Sequence, residues 1–309
     1  MLAYKYMDTA IHRLNPSCML AWLIGVVILS LIFEDPVYLT LLFLSTLPVV
    51  ALAKVTGRWL SFMKFTLFLC LMIVALNTLF SSAGEHIIWS APFQIPLIGY
   101  PAITLEGIIF GVGMAIRLAA IISAFAILTL TVHPDDLMAQ LVKMKIPYKS
   151  VLVMSLSTRF FPTLLRDVDT LADVQRSRGV ELDKGNVFKK VRNRAPMVVA
   201  LLSNSLERAV QVAEAMEARA FGTDKKRSFY KHVKMRGRDY LLLASAVSPL
   251  IFGVLMRFLN YGSYQYYPTL QQLNISGIEV GAMIILSLLL VSPAAFSVPF
   301  RGRNYVDRI

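Results

Sequence analysis

Charged and metal-binding side chains are scarce in this sequence. Only 16% of its 309 residues are charged, whereas soluble domains usually carry about 25%. The two cysteines, Cys18 and Cys70, lie in apolar runs and form neither a disulfide framework nor a Cys-x-x-Cys metal motif. The four histidines are scattered, with no pair at i and i+4. We therefore predict no metal site and no cofactor, and we conclude that water is not the main solvent of the chain.

Sequence motifs of catalysis are also missing. The chain has no Gly-x-x-x-x-Gly-Lys-Ser/Thr loop, so it is not expected to bind ATP in the P-loop manner. Asp167, Asp169 and Asp173 fall on one predicted helix, where they are interpreted as polar-face charges that balance Arg166 and Arg176. No catalytic residue is predicted. A membrane enzyme acting on lipid or isoprenoid substrates stays a second hypothesis, which would need clustered acids or a His/Asp site.

The formal net charge of +12 has two possible explanations. No aromatic-basic recognition motif accompanies the charge, so a nucleic-acid partner is not predicted. In membrane proteins, excess Lys and Arg marks the cytoplasmic loops. A third hypothesis is a binding module whose basic loop grips anionic lipid head groups. Residues 132–238 mix 11 acids with their 21 Lys and Arg residues, which argues against a simple polybasic patch.

Long apolar runs are what the sequence has in abundance. A membrane helix needs about 17–25 largely apolar residues. Six runs approach this length: Ser17–Phe33, Val37–Ala53, Phe62–Phe80, Thr104–Thr131, Asp239–Met256 and Gly277–Val298. The sequence therefore predicts an all-α polytopic membrane protein with about six transmembrane helices, in three parts: 1–131, 132–238 and 239–309.

The charges of the connecting loops predict the orientation. Basic residues precede the first run, lie between the second and third, fill residues 132–238 and recur in the tail. The alternate loops are poor in Lys and Arg. The first holds Glu34 and Asp35, the second holds Glu85, and the third holds Arg257 among four tyrosines. The positive-inside rule then predicts that both termini lie in the cytoplasm.

The large basic loop is helically patterned. We predict a short helix over Asp135–Lys145 and an apolar stretch against the membrane over Val151–Phe161. Pro162 suits the first turn of a long amphipathic helix that ends at Gly179. A second long helix is predicted from Ala195-Pro196 to Gly222. A shift of 41 residues superimposes Arg178 on Arg219, which suggests two similar surfaces.

Two tripeptides close these helices: Ser177-Arg178-Gly179 and Ala218-Arg219-Ala220. An Arg in the last turn of a helix complements the helix dipole, which is the ordinary explanation of one such residue. In both tripeptides, however, small neighbours would let a partner's backbone approach closely, and the Arg fork can then bind a carboxylate or carbonyls. We interpret the pair as candidate docking motifs.

Arg117 and three glycines stand out in the fourth run. A charge at the centre of a membrane helix costs about 2.5–3.5 kcal/mol and usually faces the bundle interior. Arg117 is therefore a candidate intramembrane residue, unless its span begins later and it lies near an interface. Glu106 is eleven residues away, too far for a direct partner. Gly107, Gly111 and Gly113 predict close packing of helices within the chain.

The order of these motifs resembles the transmembrane T component of energy-coupling factor (ECF) transporters, the Q-type cobalt-transport permease family. The resemblance runs from about His12 to Gly222. It rests on these stretches: Arg117-Leu118 to Thr129-Leu-Thr131, Asp136-Leu137, Pro147, Arg159-Phe160-Phe161-Pro162, Gln175-Arg-Ser-Arg-Gly179, Leu206-Glu-Arg-Ala209 and Ala215-Met-Glu-Ala-Arg219. Arg159 is a second candidate polar residue within this pattern.

The resemblance implies a non-catalytic subunit that joins two cytosolic ABC-type ATPases to a substrate-binding membrane subunit, the S component, for uptake of a vitamin or metal ion. The tripeptides around Arg178 and Arg219 would each dock on one ATPase. Two departures stand out. The family commonly has Gly where this chain has Ala220. The usual N-terminal pattern of the family is Leu-Asp-Pro-Arg-Thr-Lys, and this chain instead has Leu14-Asn15-Pro16-Ser17-Cys18-Met19.

Overall fold

The computed structural model describes residues 9, 11, 12, 14–80, 84–90, 102–133, 136, 137, 140, 148–180, 182, 186–222, 237–272 and 276–297. The chain divides into two compact units. The first unit consists of Met1–Gln140 and Val233–Ile309, and the second is Leu141–His232.

Helices account for most of the described residues. They are α1 (Pro16–Ile32), α2 (Pro36–Ala53), α3 (Thr56–Phe80), α4 (Leu105–Thr131), α5 (Tyr148–Ser177), α6 (Val187–Ala218), α7 (Gly237–Phe258) and α8 (Gly277–Ser297). By length and composition, α2, α3, α4, α7 and α8 could each cross a membrane, and α1, with 17 residues, is slightly shorter. The predicted all-α polytopic class is confirmed.

One small sheet interrupts the helical pattern. Strand β1 (Ile87–Ser90) pairs antiparallel with β2 (Ala102–Thr104), in a register that joins Ile87 to Thr104. The predicted all-α class includes no strand here, although Ile87, Ile88 and Trp89 are typical strand residues. Thr104 then caps α4, because its side chain accepts a hydrogen bond from the Gly107 amide.

The first two helices begin with the same local chemistry. Asn15 and Asp35 are the N-caps of α1 and α2, and each side chain accepts from the amide two residues later. Pro16 and Pro36 follow at the first helical position, where a missing N–H costs nothing. The hairpin formed by α1 and α2 therefore has a defined start for each arm.

Helix α4 is the centre of the first unit and packs against α1, α2 and α3. A Cβ atom on Gly111 would lie 3.1 Å from the Cα atom of Val74 on α3, so glycine permits the close approach. On the α2 side, the hydroxyls of Thr46 and Ser123 lie 2.8 Å apart, and Trp59 Nε1 donates to Ser123 Oγ at 3.0 Å. The predicted internal packing role is confirmed for Gly111.

The loops predicted to share one side of the membrane meet at one end of the first unit, here called the hairpin end. The amides of Glu34 and Asp35 both donate to the Gly262 carbonyl. The Tyr266 hydroxyl donates to the Glu34 carbonyl at 2.6 Å, and the Glu85 amide donates to the Pro268 carbonyl. Burial raises the pKa of Tyr266 to about 12, which keeps this donor protonated.

The opposite end of the first unit is called the Gln140 end. Ser17 Oγ donates to Gln140 Oε1 at 2.6 Å, and Gln140 Nε2 donates to Asn15 Oδ1 at 3.3 Å. Cys18 Sγ donates to the Asp239 carbonyl at 3.6 Å. The first turn of α1 is thus bonded to residues before and after the second unit in the sequence. Of the predicted helix over Asp135–Lys145, only Asp136, Leu137 and Gln140 are described, all as helix.

The second unit corrects two predicted helix starts. Helix α5 runs unbroken through Pro162, and α6 begins at Val187 and runs through Pro196. Each proline removes one backbone donor and crowds the preceding turn. Both prolines are exposed, however, so water can satisfy the released carbonyl, and the apolar stretch from Val151 to Phe161 becomes the first half of α5.

Candidate docking site

The first tripeptide forms a complete helix C-cap. The Val180 amide donates to the Gln175 carbonyl at 3.0 Å, and the Gly179 amide donates to the Arg176 carbonyl at 2.9 Å. This pair of bonds is the Schellman motif, in which the residue after the cap is left-handed. Gly179 has that conformation, with a φ of 79°. Arg178 is therefore the C-cap residue of α5.

The second tripeptide forms the same cap. The Phe221 amide donates to the Met216 carbonyl at 2.9 Å, and the Ala220 amide donates to the Glu217 carbonyl at 2.8 Å. Ala220 is left-handed, with a φ of 52°. Arg219 is thus the C-cap residue of α6, equivalent to Arg178 on α5. The sequence predicted a matched pair of ends, and their backbone conformations agree.

The caps present both arginines to solvent. Ser177, Arg178, Gly179, Ala218, Arg219 and Ala220 are all exposed. Among the described residues, the guanidinium groups of Arg178 and Arg219 make no hydrogen bond or ion pair. The Schellman bonds already satisfy the last carbonyls, so the side chains are not needed as caps. Each group can therefore offer its fork of donors to a partner.

The two helices touch at a pair of opposite charges. Arg208 Nη2 on α6 lies 2.9 Å from Asp167 Oδ2 on α5. A cleft between the helices is lined by α5 residues that follow Asp167 and by α6 residues that precede Arg208. These residues are Val168, Asp169, Ala172 and Arg176 of α5, and Arg194, Met197, Val198 and Leu201 of α6. The helices therefore pack side by side in opposite directions.

The antiparallel packing separates the two arginines. Arg178 is eleven residues after Asp167, and Arg219 is eleven residues after Arg208. Eleven residues of α-helix extend about 16 Å along the axis. Because the helices run in opposite directions, the two caps point away from the Asp167–Arg208 contact, up to about 33 Å apart. The geometry suits two separate partners better than one shared site.

The caps differ at the residue in the left-handed conformation, which is Gly179 in the first and Ala220 in the second. An L-residue in the left-handed region is strained by about 1–2 kcal/mol, and glycine is not. Gly179 is free of this strain, whereas Ala220 bears it. A Cβ atom on Gly179 would meet nothing within 4 Å, so that cap is also open to a close approach.

Arg117 lies at the level of the α1–α2 hairpin turn. Its Nη2 atom donates to the Phe33 carbonyl at 2.9 Å, and its Nη1 atom contacts Met114 Sδ at 3.2 Å. Phe33 is the C-cap of α1, so the guanidinium complements the negative end of that helix. Because α4 begins at Leu105, the alternative of a span that begins later does not apply. Arg117 is half-buried, and its intramembrane role stays a prediction.

The remaining polar candidates have separate environments. Arg159 is exposed on α5 and has no side-chain partner among the described residues. Glu106 is fully buried, and its carboxylate lies 2.6 Å from His86 Nδ1. Glu106 thus has a partner other than Arg117, as predicted from their spacing. Arg176 pairs with Asp173 as expected, whereas Asp167 pairs with Arg208.

The contacts not predicted from the sequence include the Asp167–Arg208 pair and the Ser17–Gln140 bond. The 41-residue shift that relates Arg178 to Arg219 also relates Asp167 to Arg208, and this signal could have found the first contact. The second joins residues 123 positions apart, for which the sequence carries no local signal.

This arrangement defines a polytopic helical membrane protein with a separate pair of long amphipathic helices that end in matched arginine caps. The family model described as cobalt transport protein, CbiQ, matches residues 7–230. The chain is 33% identical over 263 residues to the ECF transporter transmembrane protein EcfT of Streptococcus thermophilus, which covers 82% of the chain and 95% of that relative. For EcfT of Lactococcus lactis the identity is 32% over 266 residues, covering 82% and 97%, and for that of Bacillus subtilis it is 29% over 271 residues, covering 84% and 98%.

The chain belongs to this family of energy-coupling factor transmembrane proteins. It is a multi-pass membrane protein and the energy-coupling transmembrane subunit of an ECF transporter, not an enzyme. The hypothesis of a membrane enzyme is thereby excluded.

Proposed function

We propose that this subunit joins two cytosolic ABC-type ATPases to a substrate-binding S component, and that the Arg178 and Arg219 caps each dock on one ATPase. The supporting observation is the matched geometry of the caps. Both arginines occupy the same position of a Schellman motif, are exposed and lie at opposite ends of the α5–α6 pair. Two equivalent partners could therefore bind in the same way, one at each cap.

The proposed orientation places both caps and both termini in the cytoplasm of a prokaryotic cell. Residues 132–238 carry most of the excess positive charge, and the hairpin end gathers loops that are poor in Lys and Arg. The cargo would be a vitamin or a metal ion. Closure of the two ATPases on ATP would change the distance between the caps, and α5 and α6 would carry this movement to the S component.

The test reverses both charges. Arg178→Glu combined with Arg219→Glu should leave the protein in the membrane but abolish copurification of the ATPases and uptake. A carboxylate cannot donate the hydrogen bonds of a guanidinium, and it repels an acidic partner. Each single variant should lose only part of the copurified ATPase, because one cap remains.

The matched control is Arg166→Glu, which makes the same charge change at an exposed position in the middle of α5. It should copurify the ATPases as the unchanged protein does. Continued copurification and uptake by the double Glu variant would show that the caps are not the docking points.

A further inference from the structure

The ribbon formed by β1 and β2 exposes large apolar side chains. Ile87 is 60% exposed, Ile88 58% and Trp89 53%. The strand register joins Ile87 to Thr104 and Trp89 to Ile103, so Ile88 is left over as a bulge residue. Successive residues of a strand point to opposite faces, and Ile87 and Trp89 therefore lie on opposite faces with their partners. Each face of the ribbon thus has an exposed apolar side chain.

The ribbon is bonded to the first turn of α4. The Leu105 amide donates to the His86 carbonyl at 3.0 Å, and the His86 amide donates to Glu106 Oε1 at 3.2 Å. His86 Nδ1 lies 2.6 Å from the same oxygen, and Glu106 is fully buried. Just before the ribbon, the Glu85 amide donates to the Pro268 carbonyl at the hairpin end. These bonds fix the base of the ribbon at the start of α4.

The length of α4 places the ribbon at the edge of a bilayer. The 27 residues of α4 extend about 40 Å, whereas the hydrocarbon core of a bilayer is about 30 Å thick. The first turn of α4, and the ribbon bonded to it, would therefore lie at the level of the head groups. The last turns of α3 expose Leu76, Leu79 and Phe80, and β2 packs against α3. The apolar surface of the ribbon continues the one that α3 offers to lipid.

The chemistry of the ribbon fits the interface between lipid and water. The sequence contains no Asp, Glu, Lys or Arg between Glu85 and Glu106, and water would hydrate such an apolar surface unfavourably. Tryptophan is enriched at membrane interfaces, where its ring contacts acyl chains and its N–H reaches polar groups. The outer edges of a two-stranded sheet carry backbone groups that need hydrogen bonds. The hydrocarbon core cannot supply these bonds, so the head-group region is the depth that suits the ribbon.

We propose that the β1–β2 ribbon lies in the head-group region of the leaflet at the hairpin end and binds lipid through Ile87, Ile88 and Trp89. The ribbon is then an interfacial anchor that holds the first turn of α4 at a fixed depth in the bilayer. This lipid contact does not depend on the proposed ATPase docking, because the ribbon and the arginine caps belong to different units of the chain.

The intrinsic fluorescence of the full-length protein provides the test. The chain has three tryptophans, and Trp22 and Trp59 are buried, so the emission that Trp89→Phe removes is that of the exposed Trp89. Both proteins are placed in phosphatidylcholine nanodiscs. Acyl chains brominated close to the head group should quench the Trp89 emission strongly. Chains brominated near their ends, and the water-soluble quencher acrylamide, should each quench it weakly.

The variant Ile87→Ser/Ile88→Ser keeps Trp89 as the reporter and removes the two apolar neighbours. Trp89 should lose quenching by the shallow bromine atoms and gain quenching by acrylamide, because the weaker lipid contact lets its ring turn toward water. The matched control, Tyr240→Ser/Leu241→Ser, removes two exposed apolar side chains at the start of α7 and should leave both values unchanged. If the double variant is not recovered as monodisperse protein, Ile88→Ser alone should produce a smaller shift in the same direction.

Four results would overturn the proposal. The first is strong quenching of Trp89 by acrylamide in nanodiscs with little quenching by either brominated lipid. The second is quenching by the deep bromine atoms that equals or exceeds quenching by the shallow ones. The third is unchanged quenching in the isoleucine variants. The fourth is protection of Trp89 from acrylamide only when the ATPases and the S component are bound, which would make the ribbon a protein interface.

Discussion

Asp167 and Arg208 form an ion pair of 2.9 Å between residues that are equivalent in the two long helices of the second unit. The shift of 41 residues that relates them also relates the two cap residues, Arg178 and Arg219. A contact between equivalent positions is what a local two-fold arrangement produces at its axis. The pair therefore marks the point from which the two caps extend equally.

We predict that this ion pair controls the spacing of the caps more than the stability of the protein. The two side chains are 25% and 31% exposed, so the pair should contribute no more than about 1 kcal/mol. Asp167→Asn should nevertheless broaden the distance distribution between nitroxide labels at Ser177→Cys and Ala218→Cys, measured by pulsed electron resonance. Arg208→Gln should broaden it to a similar extent, and the double variant no further.

The control for this prediction is Asp173→Asn. It removes an ion pair with Arg176 that lies within α5 and bridges no second helix. The distance distribution should stay as narrow as in the unchanged protein. Equal broadening in Asp173→Asn and Asp167→Asn would show that general charge loss, not the contact between helices, determines the cap spacing.

The left-handed conformation of Ala220 predicts that glycine substitutions at Ala220 and at Ala218 have opposite effects on stability. Ala220→Gly should raise the free energy of unfolding by about 1 kcal/mol, because glycine relieves the strain at a φ of 52°. Ala218→Gly, in the last turn of α6, should lower it by about 0.5–1 kcal/mol, because glycine weakens a helix. Thermal unfolding of the purified protein in detergent measures both changes.

The Gly179→Ala variant completes this comparison. Its free energy of unfolding should fall by about as much as that of Ala220→Gly rises, because the alanine introduces the same strain into the first cap. Copurification of the ATPases should survive both exchanges if Arg178 and Arg219 provide the main contacts. A melting temperature that falls in Ala220→Gly would contradict the assigned cap conformation.

The helix ends were predictable from the sequence because local chemistry determines them. Gly179 and the small residues around Arg219 favour a C-cap, and Asn15-Pro16 and Asp35-Pro36 favour a start. The helix interiors were less predictable. Pro162 and Pro196 have the sequence of helix starts, yet the exposed surface tolerates each proline inside a longer helix. The presence of a proline in the sequence does not show whether water can reach the carbonyl that the proline leaves without a donor, so it does not by itself predict a helix start.

The hydrogen-bond acceptor of Arg117 could not be predicted from the sequence. The partner of Arg117 is a backbone carbonyl 84 residues away, and carbonyls are present at every residue. The sequence could therefore identify Arg117 as unusual but not its acceptor. Charged partners are easier to infer, and the 41-residue repeat contained enough information to join Asp167 with Arg208.

Arg117 is predicted to stabilise the first unit through the end of α1. Arg117→Met removes the donor to the Phe33 carbonyl and should lower the free energy of unfolding by about 1–3 kcal/mol. Arg117→Lys keeps the positive charge but not the forked guanidinium donors, and its loss of unfolding free energy should be smaller than that of Arg117→Met. The matched variant Arg257→Gln breaks an exposed ion pair with Glu34 and should cost less than about 1 kcal/mol. Unfolding of Arg117→Met at the same temperature as Arg257→Gln would contradict this role.

The hydrogen bond between Ser17 and Gln140 predicts a rescue by a second substitution. Gln140 is only 2% exposed, and its Oε1 atom accepts from Ser17 Oγ at 2.6 Å. Gln140→Leu leaves that hydroxyl without its acceptor and should cost about 1–3 kcal/mol, because an unsatisfied buried polar group loses its solvation. Ser17→Ala added to Gln140→Leu should recover part of the loss, since both partners are then gone. Thermal unfolding of the four proteins in one detergent gives the coupling energy, and strictly additive losses would show that the bond does not hold Gln140 at the start of α1.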